Sequence, residues 1–218
     1  VGEIHGAKIV GLLRRAALEK PAAVIFMVDS GGVRLHEANA GLIAISEIMR
    51  AVLDARAAGV PVLALVGGSC GAFGGMGIVS RLCSAIIMSE EGRLALSGPE
   101  VIETVAGVEE FDSKDRALVW RVTGGKHRYL TGDCAELVED DAAGVRQGAM
   151  DVLAGRTEPR PSSTVLRAEQ ERLSSRRQRF AGMRDGLEVW AALGVPDPGQ
   201  VSLIDRDSLV ALKKGLPA

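Results

Sequence analysis

Two short apolar runs, AVIFMV (23–28) and PVLALV (61–66), each break off into glycine: DSGG (29–32) follows the first and GGSCG (67–71) the second. Unbroken apolarity without polar alternation predicts strands buried on both faces, the habit of parallel sheets. Between them residues 34–58 repeat apolar positions at helical spacing (Leu35, Ala38, Leu42, Ile45, Ile48, Met49, Val52, Leu53), with Gly59 as C-cap and Pro61 beyond. A first helix is predicted over 5–18, stopped by Pro21, another over 74–83, and a third strand over 84–89. Strand, helix, strand, helix describes a layered α/β domain with a largely parallel sheet.

The chain of 218 residues suits one domain with an appendage. Its net charge of -2 and its 3% aromatic content do not make a basic, base-stacking surface, so nucleic acid is not an expected partner. Cys70, Cys83 and Cys134 are widely spaced and form neither a disulfide framework nor a metal knuckle, which fits a reducing cytoplasm. No stretch reaches the roughly 20 apolar residues of a membrane span, and no basic-then-apolar leader opens the chain. It begins at Val1 with no initiator Met, which leaves room for an upstream segment.

GGSCGAFGGMG (67–77) admits three readings. A Walker-type phosphate loop needs a Lys after its glycines, and none follows between 67 and 81. The dinucleotide fingerprint is out of register, although Glu90 stands where a ribose-binding acid would. Ser69 or Cys70 as a nucleophile needs a base, and sequence places none of His5, His36 and His127 beside the turn; a small packed residue is the plainer reading of Cys70. The third reading needs no side chain. Ser30-Gly31-Gly32-Val33 and Ala72-Phe73-Gly74-Gly75 both run into helices, whose first amides lack internal partners and sit at the positive dipole end. Side by side at the carboxyl end of the sheet, they can converge on one developing oxyanion. Glycine that merely permits close helix–strand packing is the competing explanation.

DSGGVRLHEA (29–38), GGSCGAFGGMG (67–77) and ALSGPEVIE (95–103), in this order, resemble the motifs of the carboxyltransferase domains of biotin-dependent acyl-CoA carboxylases and decarboxylases, within the ClpP/crotonase superfamily. The resemblance covers about residues 1–150, and RALVWRVTGGKHRYLTGDCAELVEDD (116–141) is similar to the β subunits of biotin-independent malonate decarboxylases. It implies a crotonase-like β-β-α spiral over 1–155, followed by a linker and helical tail over 156–218 that docks on the same domain or on a partner. The ClpP catalytic serine and histidine fall on Ala72 and near Ser97, so a protease is not expected; the paired glutamates of crotonase hydratases have no counterpart near 67–77.

The implied reaction is decarboxylation of a malonyl thioester on an acyl carrier protein. The chain itself binds no cofactor; the thioester rides on a phosphopantetheine-like group that the carrier supplies. The oxyanion donors are then the amides of Gly31, Gly32, Val33, Gly74 and Gly75, and His36 is the candidate proton donor. Ser30, Arg34, Phe73, Gly98, Pro99 and His127 are candidate substrate contacts, with an ion pair for Arg34 and loop decoration for His127 as the structural alternatives. A homologous γ subunit completes the site in a hetero-oligomer. The tail carries a linker over 156–163, a helix over 164–182 capped by Ser163 and bearing Arg167, Arg172, Arg176, Arg177 and Arg179, and an apolar segment over 201–212. The arginines make a solvated face or steer an acidic carrier. Two other functions fit the same motifs: transfer of the carboxyl group to biotin, and a non-catalytic acyl-CoA-binding scaffold.

Overall fold

The computed structural model describes residues 1–155 and 161–216. Four parallel strands, β1 (Val24–Val28), β2 (Val62–Val66), β3 (Ala85–Ser89) and β4 (Glu136–Val138), lie in the order β1-β2-β3-β4. Val24 pairs with Val62, Leu63 with Ala85, and Ile87 with Glu136. Helices α1 (Glu3–Glu19), α2 (Asn39–Ala57) and α3 (Gly74–Leu82) precede α4 (Pro99–Ala106), α5 (Arg116–Thr123), α6 (Gly125–Leu130) and α7 (Ala142–Ala154). The tail adds α8 (Ser163–Arg179), α9 (Gly186–Ala192) and α10 (Arg206–Lys214).

The two faces of the sheet follow the period-2 alternation of its side chains. Val62, Ala64 and Val66 of β2 join the main core with Ile48 and Val52 of α2 and Val79 of α3, whereas Leu63 and Leu65 pack with Ala149 and Val152 of α7. Leu63 is wholly buried, so truncation to Ala is expected to cost about 2–5 kcal/mol. Burial of β1 on both faces does not hold. Ile25 and Met27, in register with Leu63 and Leu65, are 50% and 80% exposed, because α7 packs on β3 and β4 and stops short of the edge strand.

Beyond the strand ends runs a second, shorter ladder. Ser30 bridges Ala72, and Ala72 bridges Leu94, both in parallel sense. Each of β1, β2 and β3 is therefore followed by one more extended residue and then by a helix, which is the β-β-α repeat of a crotonase-like spiral.

Three boundaries differ from expectation. The helix read over 34–58 is interrupted: Leu35–Glu37 is a 3-10 turn, Ala38 sits at φ +46, and α2 begins at Asn39. The turn carries Glu37 to the start of α1, where its carboxylate accepts the Glu3 N–H at 2.7 Å beside the positive helix end. The tail helix spans Ser163–Arg179 and is capped by Ser162 rather than Ser163, its hydroxyl accepting the Val165 N–H at 3.2 Å. Of the predicted linker, residues 156–160 lie outside the described residues. The last segment returns to the body of the chain, since Trp190, Val201 and Leu209 belong to the main core cluster. Among the described residues no helix is long and apolar enough to cross a membrane.

Candidate active site

Both glycine turns stand at the carboxyl ends of neighbouring strands, and they touch backbone to backbone. The Phe73 N–H donates to the Ser30 carbonyl at 3.1 Å, and the Ser30 N–H to the Gly71 carbonyl at 2.7 Å. Gly32 has φ +114, and a Cβ there would lie 3.1 Å from the Phe73 carbonyl oxygen and 3.3 Å from the Gly74 Cα. Gly74, at φ +56, would place its own Cβ 3.3 Å from the Gly32 Cα. Only a chain without Cβ atoms lets the two turns approach so closely.

Two side chains hold this arrangement, and neither stands out in the sequence as a site residue. The Asp29 carboxylate, one residue past β1, accepts the N–H groups of Cys70 and Gly71 at 2.7 and 2.8 Å, tying the second turn to the first strand. Arg93 grips the same turn from the other side. Its guanidinium lies 5.6 Å from the Phe73 ring centroid and 5.1 Å from that of Trp120, and donates to the carbonyls of Ser69 and, at 3.2 Å, Cys70.

Hydrogen bonding divides the five candidate amides. Gly74 N–H donates to the Leu96 carbonyl at 2.8 Å, and Gly32 N–H to the Ser30 hydroxyl at 3.2 Å. These two are engaged inside the fold, which corrects their assignment as free oxyanion donors. The amides of Gly31, Val33 and Gly75 have no hydrogen-bond partner among the described residues. Gly75 stands in the first turn of α3, where the helix leaves its amides unsatisfied and the dipole favours negative charge. Such an arrangement can stabilise an oxyanion without any ionisable side chain.

The remaining sequence candidates fall into two groups. Gly98 and Pro99 lie near the turns: Gly98 is the N-cap of α4, Pro99 opens that helix, and Leu96 just ahead of them receives the Gly74 N–H. Phe73 is buried beneath Arg93, and the Ser30 hydroxyl braces its own turn. His36 is exposed in the 3-10 turn and has no hydrogen-bond partner among the described residues. Arg34 donates to Glu37 at 2.9 Å, the ion pair that is the plainer reading of an arginine there.

His127 is corrected from the surface to the interior. It lies in α6, buried, with its ring 6.1 Å from that of Trp190 and its Nδ1 without a partner. Burial first, and then the charge of Arg128, pulls its pKa down to about 3, so it is neutral at pH 7. Glu90 pairs with Lys126 at 2.8 Å, which gives the acid at the end of β3 a structural partner. Ser69 and Cys70 are exposed on the turn.

Residues 1–178 match the carboxyl transferase domain family. A malonyl-S-ACP:biotin-protein carboxyltransferase of Malonomonas rubra is 38% identical across the whole of this chain and 74% of its own length. The solved Pseudomonas malonate decarboxylase hetero-tetramer in complex with malonate contains a chain that is 36% identical, with a TM-score of 0.73 over 93% of this chain and 70% of that one. Transcarboxylase 12S, solved with hydrolysed methylmalonyl-coenzyme A, shares the fold at 24% identity and a TM-score of 0.58, over 72% of this chain and 28% of its own. Matched by the family over residues 1–178 and by a relative 38% identical across its whole length, the chain belongs to the carboxyl transferase domain family.

Proposed function

We propose that this chain is the β-type subunit of a malonate decarboxylase, converting a malonyl thioester on an acyl carrier protein into the acetyl thioester and CO₂. Breaking the bond to the carboxylate leaves its electron pair on the adjacent carbon, delocalised as an enolate whose charge rests on the thioester oxygen. The three unpartnered amides of Gly31, Val33 and Gly75, on turns in mutual contact, carry this reading. A single donor of this kind is worth about 3–4 kcal/mol in other enzymes. His36, exposed close after the first turn, is assigned the proton that converts the enolate carbon to a methyl group. The partners are a homologous γ subunit and the carrier with its phosphopantetheine-like arm; the hetero-tetrameric relative from Pseudomonas supports a hetero-oligomer.

The test is to assemble the chain with its γ homologue and carrier and measure CO₂ release from malonyl-carrier, with biotin absent and avidin added. Release that persists supports the proposal; no release from the complete complex overturns it. A second reading, transfer of the carboxyl group to a biotin protein, is supported by the Malonomonas relative. It predicts that avidin abolishes turnover.

A further inference from the structure

The first glycine turn is held from outside itself. The Val1 nitrogen donates to the Gly32 carbonyl at 2.5 Å, and the Val1 carbonyl accepts the Arg34 N–H at 2.9 Å. These two bonds straddle Val33 as in a parallel ladder, which leaves the Val33 N–H on the side away from Val1. That side faces the second turn, since a Cβ added to Gly74 would lie 3.9 Å from the Val33 nitrogen. The Val33 side chain is seated too: a Cβ at Gly41 of α2 would lie 2.6 Å from its Cγ1. The direction of the Val33 amide therefore depends on how the starts of α1 and α2 are joined.

One carboxylate makes that joint. Glu37 accepts the Glu3 N–H at 2.7 Å and the Arg34 guanidinium at 2.9 Å, so it ties the first turn of α1 to the residue that follows Val33. It lies against bare backbone, and a Cβ at Gly2 would collide with both of its oxygens. The bond from Glu3, and then the Arg34 guanidinium, hold the Glu37 carboxyl below the usual carboxylate range.

The next residue works against the joint. Ala38 has φ +46 and ψ -127, a conformation that suits glycine and that alanine keeps only where its surroundings enforce it. On one side of it α2 is packed, with Gly41, Ala44 and Ile45 buried. On the other, Leu35 is 87% exposed and His36 is exposed beside it. Relaxation at Ala38 must therefore move residues 34–37 rather than the helix.

We propose that Glu37 is a positioning residue: it holds the first glycine turn against the strain at Ala38, so that the amides of Gly31 and Val33 stay aimed at the oxyanion. The catalytic half of this rests on the oxyanion chemistry proposed above; the mechanical half, a carboxylate that keeps the turn in place, does not.

Turnover and amide exchange test the two halves separately. Oxyanion stabilisation acts in the transition state, so its loss lowers kcat and leaves KM for malonyl-carrier nearly unchanged. In the complex with the γ homologue and carrier, Glu37→Ala is expected to lower kcat by roughly 10- to 100-fold, part of the 10²–10³ that full loss of one donor costs in other enzymes. Glu37→Gln keeps one uncharged acceptor oxygen and is expected to lose less. Adding Ala38→Gly to Glu37→Ala removes the strain and is expected to restore most of kcat, although neither lost bond returns. Gly59→Ala, strained far from either turn, is the control for lowered stability alone, and thermal unfolding verifies that each variant folds. Hydrogen exchange on the full chain reads the turn without catalysis. The N–H groups of Gly32 and Arg34, bonded to Ser30 and Val1, are expected to exchange roughly tenfold or more faster in Glu37→Ala, while that of Gly74, bonded to Leu96, keeps its rate. A kcat within about twofold of Gly59→Ala, a loss that falls on KM instead, or a double variant no faster than Glu37→Ala overturns the proposal. Unchanged exchange at Gly32 and Arg34 overturns it as well. If the parent complex releases no CO₂, the decarboxylase reading fails by itself, and exchange at Gly32 and Arg34 then decides whether Glu37 holds the turn.

Discussion

Replacing Gly32 by alanine adds one methyl group where the two turns meet. That methyl would stand 3.1 Å from the Phe73 carbonyl oxygen and 3.3 Å from the Gly74 Cα, so the turns must separate by a few tenths of an ångström. At φ +114 the alanine also strains the backbone, by about 1–3 kcal/mol. Gly59 supplies the control: it has φ +86 with nothing within 4 Å of the added carbon, far from either turn. Both variants are expected to lower the melting temperature by about 2–4 °C per kcal/mol of strain. Only Gly32→Ala displaces the amides of Gly31, Val33 and Gly75 from one another. Full loss of one such donor costs 10²–10³ in kcat, so partial displacement is expected to lower kcat by roughly 10- to 10³-fold. The assay is CO₂ release from saturating malonyl-carrier by the assembled complex, corrected for the folded fraction. If Gly32→Ala stays within about twofold of Gly59→Ala, the amides of these turns do not stabilise the transition state.

Asp29→Ala leaves the N–H groups of Cys70 and Gly71 without their acceptor and is expected to cost about 1–2 kcal/mol in urea unfolding, with Asn retaining part of that. Arg93→Lys forfeits the stacking on Phe73 and Trp120 and the fork onto the turn; a loss of about 1 kcal/mol and a reduced kcat are expected, and unchanged values in both would refute its positioning role. His127 gives stability an acid limb. Its folded-state pKa of about 3 lies below the unfolded value of about 6.5, so below pH 6.5 the unfolded chain takes up a proton that the folded chain refuses. Stability is therefore complete above pH 6.5 and falls by up to about 1.4 kcal/mol per pH unit toward pH 3. Urea midpoints at pH 7.5 and pH 5 should converge in His127→Gln relative to the parent, and an unaltered difference would exclude this residue as the cause.

The strands at 23–28, 61–66 and 84–89 and the helix at 74–83 were legible because apolar runs and glycine punctuation are local signals. So was the meeting of the two turns, since consecutive βα units of a parallel sheet place their carboxyl ends together. The bonds that spend some amides and spare others were not legible. The Gly74 N–H is taken by Leu96 and the Cys70 N–H by Asp29, pairings across 22 and 41 residues that no local pattern encodes. His127 gave no sign of burial, because Trp190, which lies beside it, arrives from the tail. The exposure of Met27 was hidden for a related reason: its strand is as apolar as β2, and only the reach of α7 decides which of the two has a covered second face.

In the proposed reaction the working atoms of the glycine turns belong to the main chain, so no replacement of a side chain short of proline, which has no N–H, deletes them. Systematic mutagenesis of these loops would consequently chart free space rather than reagents. Gly31, whose added carbon meets nothing within 4 Å, should tolerate alanine, while Gly32 and Gly74 should not. A tolerant position here is thus no sign of an idle one.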